Sequence, residues 1–206
     1  MKTSTKNILS STFDYLRPHI MIDMLGDCKD KIILDIGAGK DPLSKKIDCK
    51  RVLTLDGIKE CEPDILCDLN EGIYLHNDTV DKVLAGEVIE HVHNPVQFVR
   101  EIARVLKPNG EVVISTPNIA SLKNRFRLMF GLFPEHACRP MDWWGFKKHI
   151  TDFTVKYLIS ILEYNGFEII ETRTNGIIWH GKQLLPLAIT PTRFGEIMII
   201  KARVIK

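Results

Sequence analysis

Short runs of Val, Ile and Leu recur along the chain, each closing on an acid, a glycine or a proline: KIILDIG (31–37), RVLTLD (51–56), DILCDL (64–69), DKVLAGE (81–87) and EVVISTP (111–117). Near-continuous apolar character over so few residues is what a strand buried on both faces requires. Between these runs the apolar positions change to helical spacing. Phe98, Val99, Ile102, Val105 and Leu106 follow Asn94-Pro95, a cap residue with proline at the first helical position. Lys107-Pro108-Asn109-Gly110 stops that helix and turns into the next strand. A further helix is predicted after Thr154, with Leu158, Ile161 and Leu162 inward and Asn165-Gly166 at its end. FEIIETRT (167–174) and EIMIIKARVI (196–205) add two late strands. Strands alternating with helices predict an α/β layer fold with a mainly parallel sheet. The one long irregular stretch, residues 118–150, is expected to be a functional cover or lid.

Composition narrows this picture without changing it. The chain has 206 residues, 45% hydrophobic and 26% charged, which is one domain's worth of ordinary globular sequence and excludes a disordered protein. Lys plus Arg number 28 against 26 Asp plus Glu, so a surface field dominated by nucleic-acid or membrane attraction is excluded, although a local patch is not. No apolar run approaches the roughly 18 residues of a membrane span. The start MKTSTKNILSSTFDY has no apolar stretch of signal-peptide length, so a soluble, cytoplasmic chain is expected. Five cysteines (Cys28, Cys49, Cys61, Cys67, Cys138) contain no C-x-x-C pair and read as free, buried or half-buried thiols.

The first candidate site is the turn after the first strand, Leu34-Asp35-Ile36-Gly37-Ala38-Gly39-Lys40-Asp41-Pro42. Gly37 and Gly39 let the backbone pass beneath a ligand, and a helix leaving the turn, with Asp41 as its cap, would offer unpaired N–H groups. Tight strand–helix packing can demand such glycines by itself. Asp56, twenty-one residues after Asp35 at the tip of the second strand, points further, because an acid there can take both hydroxyls of a ribose. A dinucleotide site wants a third glycine where Pro42 stands, and the Gly-Lys-Ser/Thr of a P-loop is absent. A nucleoside without phosphates, S-adenosylmethionine, remains.

LDIGAGK, the acid in LTLDG, CDLNE, VLAGEVIEHVHNP and VLKPNGEVVISTPN resemble, in order and spacing, the successive motifs of class I S-adenosylmethionine-dependent methyltransferases over residues 31–118. HITDFTVKYLISILEYNGFEII resembles that family's later helix and strand. The resemblance implies a Rossmann-like, doubly wound, seven-stranded, mostly parallel sheet in a single domain, with a lid segment after strand five. It implies that Asp35, Gly37, Ala38 and Gly39 border the methionine part of the cofactor, with Asp41 an alternative contact for its amino group. Asp56, followed by Gly57, would hold the ribose, Asp68 would approach the adenine amino group, and Leu69 would pack near the ring. Ala85, Gly86 and Glu87 would end the fourth strand beside the sulfonium. Only nine residues run from Asp56 to Asp64 inclusive, so the family's helix between strands two and three is expected to be reduced to a turn.

The second candidate site is Glu87-Val88-Ile89-Glu90-His91. On a helical turn Glu87, Glu90 and His91 project to one side, and two carboxylates with an imidazole suit Mg²⁺ or Mn²⁺. The same E-x-x-E-H pattern resembles that of metal-dependent O-methyltransferases of ubiquinone biosynthesis, and of small-RNA 3′-terminal 2′-O-methyltransferases, in which a later histidine completes the site. His149 stands where that histidine would be, so Glu87, Glu90, His91 and His149 are the candidate metal ligands. His91 and His149, with Glu87, are equally the candidate catalytic residues, a histidine serving as general base.

The 118–150 segment mixes Lys123, Arg125, Arg127, Arg139, Lys147 and Lys148 with Phe126, Phe130, Phe133, Trp143 and Trp144. It reads either as a helix packing its apolar side on the core, or as a cover in which Trp143 and Trp144 stack on an acceptor ring. The expected acceptor is a small molecule, a saccharide or a lipid-linked intermediate, methylated on oxygen. Two alternatives stand beside it: a metal-dependent RNA 2′-O-methyltransferase, weakened by the near-neutral charge, and a non-catalytic S-adenosylmethionine-binding subunit.

Overall fold

A computed structural model describes residues 16–138, 149–179, 182–184 and 187–206. Nine strands and four α-helices run along the described chain as α1 (Leu16–Leu25), β1 (Ile32–Ile36), β2 (Arg51–Asp56), β3 (Ile65–Leu66), β4 (Val80–Gly86), α2 (Pro95–Val105), β5 (Leu106–Pro117), α3 (Leu122–Met129), α4 (Val155–Tyr164), β6 (Phe167–Thr174), β7 (Ile178–Trp179), β8 (Lys182–Gln183) and β9 (Ile197–Val204). Seven strands make one sheet in the order β3-β2-β1-β4-β5-β9-β6. β9 is antiparallel to both its neighbours; the other pairings are parallel. The expected seven-stranded, mostly parallel sheet is what the chain forms. The short β7–β8 hairpin is an addition that no sequence signal announced.

Strand alternation sorts the core into two layers. Ile33, Leu84, Val113 and Ile199 face Met21, Met24 and Leu25 of α1. Leu34, Val83, Ala85, Val112, Ile114 and Ile200 face Phe98, Val99 and Ile102 of α2 and Leu158, Ile161 and Leu162 of α4. Both long helices begin where their caps predict. The Asn94 side chain accepts a hydrogen bond from the Gln97 N–H at 3.0 Å, and Thr154 accepts from the Tyr157 N–H at 3.2 Å.

Three local expectations are corrected. The helix expected after Asp41-Pro42 is a single 3₁₀ turn, Leu43–Lys46, preceded by Pro42 with no side-chain cap, and Asp41 is exposed. The reason is Asp35, whose buried carboxylate takes both the N–H and the hydroxyl of Ser44, at 3.1 and 2.6 Å, and pins the chain in a tight turn. Residues 107–110 do not separate α2 from the strand; Leu106 already pairs with Val80, and the ladder resumes at Lys82–Glu111 after a bulge. The 118–150 stretch is not wholly irregular, since it contains α3, capped by Ser121. The helix between β2 and β3 is indeed reduced, to a 3₁₀ turn at Lys59–Cys61. Arg139, Trp143, Trp144, Lys147 and Lys148 lie outside the described residues. Among the described residues no helix is long and apolar enough to cross a membrane.

Candidate functional site

The parallel strands deliver their carboxyl ends to one edge of the sheet, where a cavity of about 440 Å³ opens. Gly37, Gly39, Asp56, Gly57, Asp68, Leu69, Glu87 and His91 line it, together with Ile58, Cys61, Cys67, Asn70, Val88 and Val92. Asp35, Ala38, Asp41, Ala85 and Gly86 of the candidate set are not among its lining residues. Asp35 is buried beneath the loop with its carboxylate on Ser44. Burial pushes its pKa up, against the two Ser44 hydrogen bonds that pull it down.

The glycine loop is held from below. The N–H groups of Gly37 and Ala38 donate to the Leu55 carbonyl at 2.8 and 3.2 Å. Gly37 has φ +68°, and a Cβ placed there would lie 2.3 Å from Val88 Cγ2, so both the turn and the close approach require glycine. Asp56 closes the loop: its Oδ2 accepts from the Gly39 N–H and its Oδ1 from the Ile58 N–H, each at 2.9 Å. Each carboxylate oxygen keeps a second lone pair, and Asp56 lines the cavity.

At the end of β4 the chain turns sharply. Glu87 adopts φ +57°, and the 3₁₀ turn Ile89–His91 begins only after it. Glu87 is therefore not on the turn that carries Glu90 and His91, although it lines the same cavity as His91 and its carboxyl feels that of Glu90. Its Oε1 accepts from the Ser115 hydroxyl at 3.1 Å and faces Arg17 Nη1 at 3.6 Å. Glu90 is almost fully buried, at 1% exposure, with Oε2 on the Thr116 hydroxyl at 2.9 Å. Its Oε1 is buried without a hydrogen-bond partner and stands 3.9 Å from His91 Nε2.

His149 joins this group from 58 residues downstream. The N–H groups of Ile150 and Thr151 donate to the Glu90 carbonyl, at 2.7 and 3.3 Å, and bring the segment in. The His91 and His149 rings meet edge to face with centroids 4.9 Å apart. His149 Nδ1 lies 2.7 Å from the His136 carbonyl, which can only accept, so Nδ1 carries the proton and Nε2 has the lone pair. Among the described residues, Glu90, His91 and His149 offer ligand atoms that all lie within 4.8 Å of one another; Glu87 is not in that group.

Burial drives both carboxyls up to about 7. For Glu87 the adjacent Glu90 adds to burial, and Arg17, Ser115 and His149 oppose it. For Glu90, its own backbone, Thr116 and Arg17 oppose burial.

Four contributors escaped the sequence reading. Arg17, on α1, brings a guanidinium whose Nε and Nη1 are buried without a hydrogen bond beside Glu87, and nothing in Leu16-Arg17-Pro18-His19 marks it. His136 acts through its carbonyl, which no side-chain pattern reveals. Ser115 and Thr116 were legible in principle, as two adjacent hydroxyls after the apolar run Val112-Val113-Ile114 near the carboxyl end of β5.

A family model described as a methyltransferase domain matches residues 21–172. A protein of Mycolicibacterium smegmatis named a probable S-adenosylmethionine-dependent methyltransferase is 32% identical over 113 residues, covering 55% of this chain and 37% of its own. The ubiquinone biosynthesis O-methyltransferase of Photobacterium profundum is 31% identical over 119 residues, covering 50% of this chain and 51% of its own. The chain thus spans about half or less of the length of these relatives. An S-adenosylmethionine-dependent methyltransferase from Mesorhizobium loti superposes with a TM-score of 0.63 at 18% identity, over 95% of this chain and 99% of that one. That last likeness is one of fold.

Proposed function

The chain belongs to the class I S-adenosylmethionine-dependent methyltransferase family, and on that premise we propose that it moves the methyl group of S-adenosylmethionine onto an oxygen of a small-molecule, saccharide or lipid-linked acceptor. The observation that carries the reading is one cavity lined by the glycine loop and Asp56 together with Glu87 and His91. Asp56, Asp68 and Leu69 would take the nucleoside, Gly37 and Gly39 would let the chain lie close to it, and Arg17 would pair with the methionine carboxylate. The likeness to ubiquinone biosynthesis O-methyltransferases favours oxygen as the methylated atom.

Transfer is an in-line displacement: the acceptor oxygen forms its bond to the methyl carbon as the carbon–sulfur bond breaks and neutral S-adenosylhomocysteine leaves. The hydroxyl proton needs a destination. His149 Nε2 supports that role, because the His136 carbonyl fixes the tautomer that leaves this nitrogen basic. Residues 118–138 would cover the acceptor side and exclude water.

A divalent cation fits the same corner. Glu90 Oε1 is buried without a hydrogen-bond partner, and Glu90, His91 and His149 each offer a ligand atom within 4.8 Å of the others. With an ion there, His149 would be a ligand instead of the base. Two imidazoles to one carboxylate favour Mn²⁺ over Mg²⁺. When bound, such an ion would lower the pKa of an acceptor hydroxyl.

Calorimetry with S-adenosylhomocysteine, followed by an acceptor panel with labelled methyl donor, with and without Mn²⁺ and EDTA, tests these statements. Saturable binding and label transfer are expected. An absence of binding overturns the cofactor assignment, and activity indifferent to EDTA overturns the metal.

A further inference from the structure

The opposite edge of the sheet, where the parallel strands begin, carries a second cavity that the methyl-transfer reading does not use. It has a volume of about 430 Å³ and is lined by Lys31, Lys82, Lys107 and Arg203 against Asp81 and Glu111. The bulge in β5 makes it. Between Val80–Leu106 and Lys82–Glu111 the β4–β5 register shifts, and Lys107-Pro108-Asn109-Gly110, the extra residues of β5, line the cleft. Asn109 sits at φ +61°, and a Cβ on Gly110 would come within 2.9 Å of the Lys107 carbonyl, so the detour is built into this sequence.

Its charges do not balance. Three cations share the single carboxylate of Glu111: Lys82 at 3.3 Å, Lys201 at 3.1 Å and Arg203 at 3.1 Å. Asp81 is already matched to Lys107 at 3.0 Å and to the Ile32 N–H at 2.8 Å. Lys31 adds a further positive charge to the lining. Lys82 is the telling member, because it is buried to 8% exposure and a desolvated ammonium sharing one carboxylate leaves local positive potential. This excess is local, since the chain as a whole carries only +2.

We propose that this cleft is a second ligand site, which takes a small multivalent anion of the phosphate or diphosphate class. The anion would sit between Lys31, Lys107 and Arg203 and complete the neutralisation that Glu111 begins. Lys107 and Arg203 are half-exposed, and each would share its ion pair, with Asp81 and with Glu111, to reach the anion. The volume is that of a small-metabolite pocket.

Calorimetric titration of the whole chain with inorganic phosphate and with pyrophosphate tests this. We expect saturable pyrophosphate binding that weakens with added salt, about five- to twentyfold weaker binding in Lys107→Ala and in Arg203→Ala, and tighter binding in Asp81→Asn. Affinity for S-adenosylhomocysteine should be the same in all four proteins, which separates this site from the cofactor cavity. Phosphate binding as well as pyrophosphate would mark a monophosphate site; pyrophosphate alone would mark a diphosphate one. The proposal is overturned by no saturation up to about 10 mM, by titrations that the three substitutions leave unchanged, or by displacement of the anion with S-adenosylhomocysteine.

Discussion

On the glycine-loop side of the cavity the two buried aspartates already have their donors. Asp35 holds Ser44, and Asp56 holds the N–H groups of Gly39 and Ile58. On the histidine side, Glu90 Oε1 and Arg17 Nε and Nη1 are buried without hydrogen bonds, and Glu87 sits in the left-handed region. The first region is complete by itself, so it can receive a ligand with little reordering. The second stores groups whose satisfaction must come from what binds there. Under the proposed function, a rigid cofactor floor beside a strained, charge-rich acceptor wall is the arrangement a group transfer needs, because the wall's interactions can be realised late in the reaction.

The sharpest way to break this contrast is at the loop. Gly37→Val forces a branched side chain into positive φ and against Val88, and should cost about 2–5 kcal/mol of stability in urea unfolding, with cofactor binding lost. A variant as stable as the parent would show that the loop is not rigidly set. Asp56→Ala removes the acceptor for two backbone N–H groups and the ribose partner together. S-adenosylhomocysteine binding should weaken by about 1.5–3 kcal/mol by calorimetry. An unchanged dissociation constant refutes the role proposed for this aspartate.

The histidine wall should reveal itself through pH. Glu87 and Glu90 stand at about 7 in the folded chain against 4.5 for an ordinary glutamate, so the folded state holds protons that the unfolded state has released. Their contribution to stability is full below about 4.5 and lost as pH rises through 7, by about 1–3 kcal/mol in metal-free protein. Unfolding midpoints at pH 5 and pH 7.5 should show the fall in the parent and much less of it in Glu90→Gln. Equal slopes in the two proteins would mean that Glu90 is not strained. The smallest effect is expected from Arg17→Ala. Cofactor affinity should fall by about 0.5–1.5 kcal/mol through loss of one charge pair, read by the same calorimetry. No change would remove Arg17 from the methionine subsite.

The amino-acid sequence determined the parts whose causes are local. Apolar runs set the seven strands of the sheet, Asn94-Pro95 and Thr154 set two helix starts, and the G-x-G turn with Asp56 marked the cavity's floor, because periodicity, capping and glycine backbone freedom act over a few residues. Tertiary structure decided everything that depends on what arrives from elsewhere in the chain. Asp35 drew Ser44 out of the helix expected there, since a buried carboxylate needs donors more than a short segment needs one more turn. Glu87 entered the left-handed region after β4 and fell outside the close cluster that Glu90, His91 and His149 form, in which spacing alone had included it. Arg17 reached Glu87 from α1, and His149 reached His91 through the Glu90 carbonyl, because packing α1 on β4 and β5 and pairing residues 150 and 151 with residue 90 bring together groups that no short-range pattern connects.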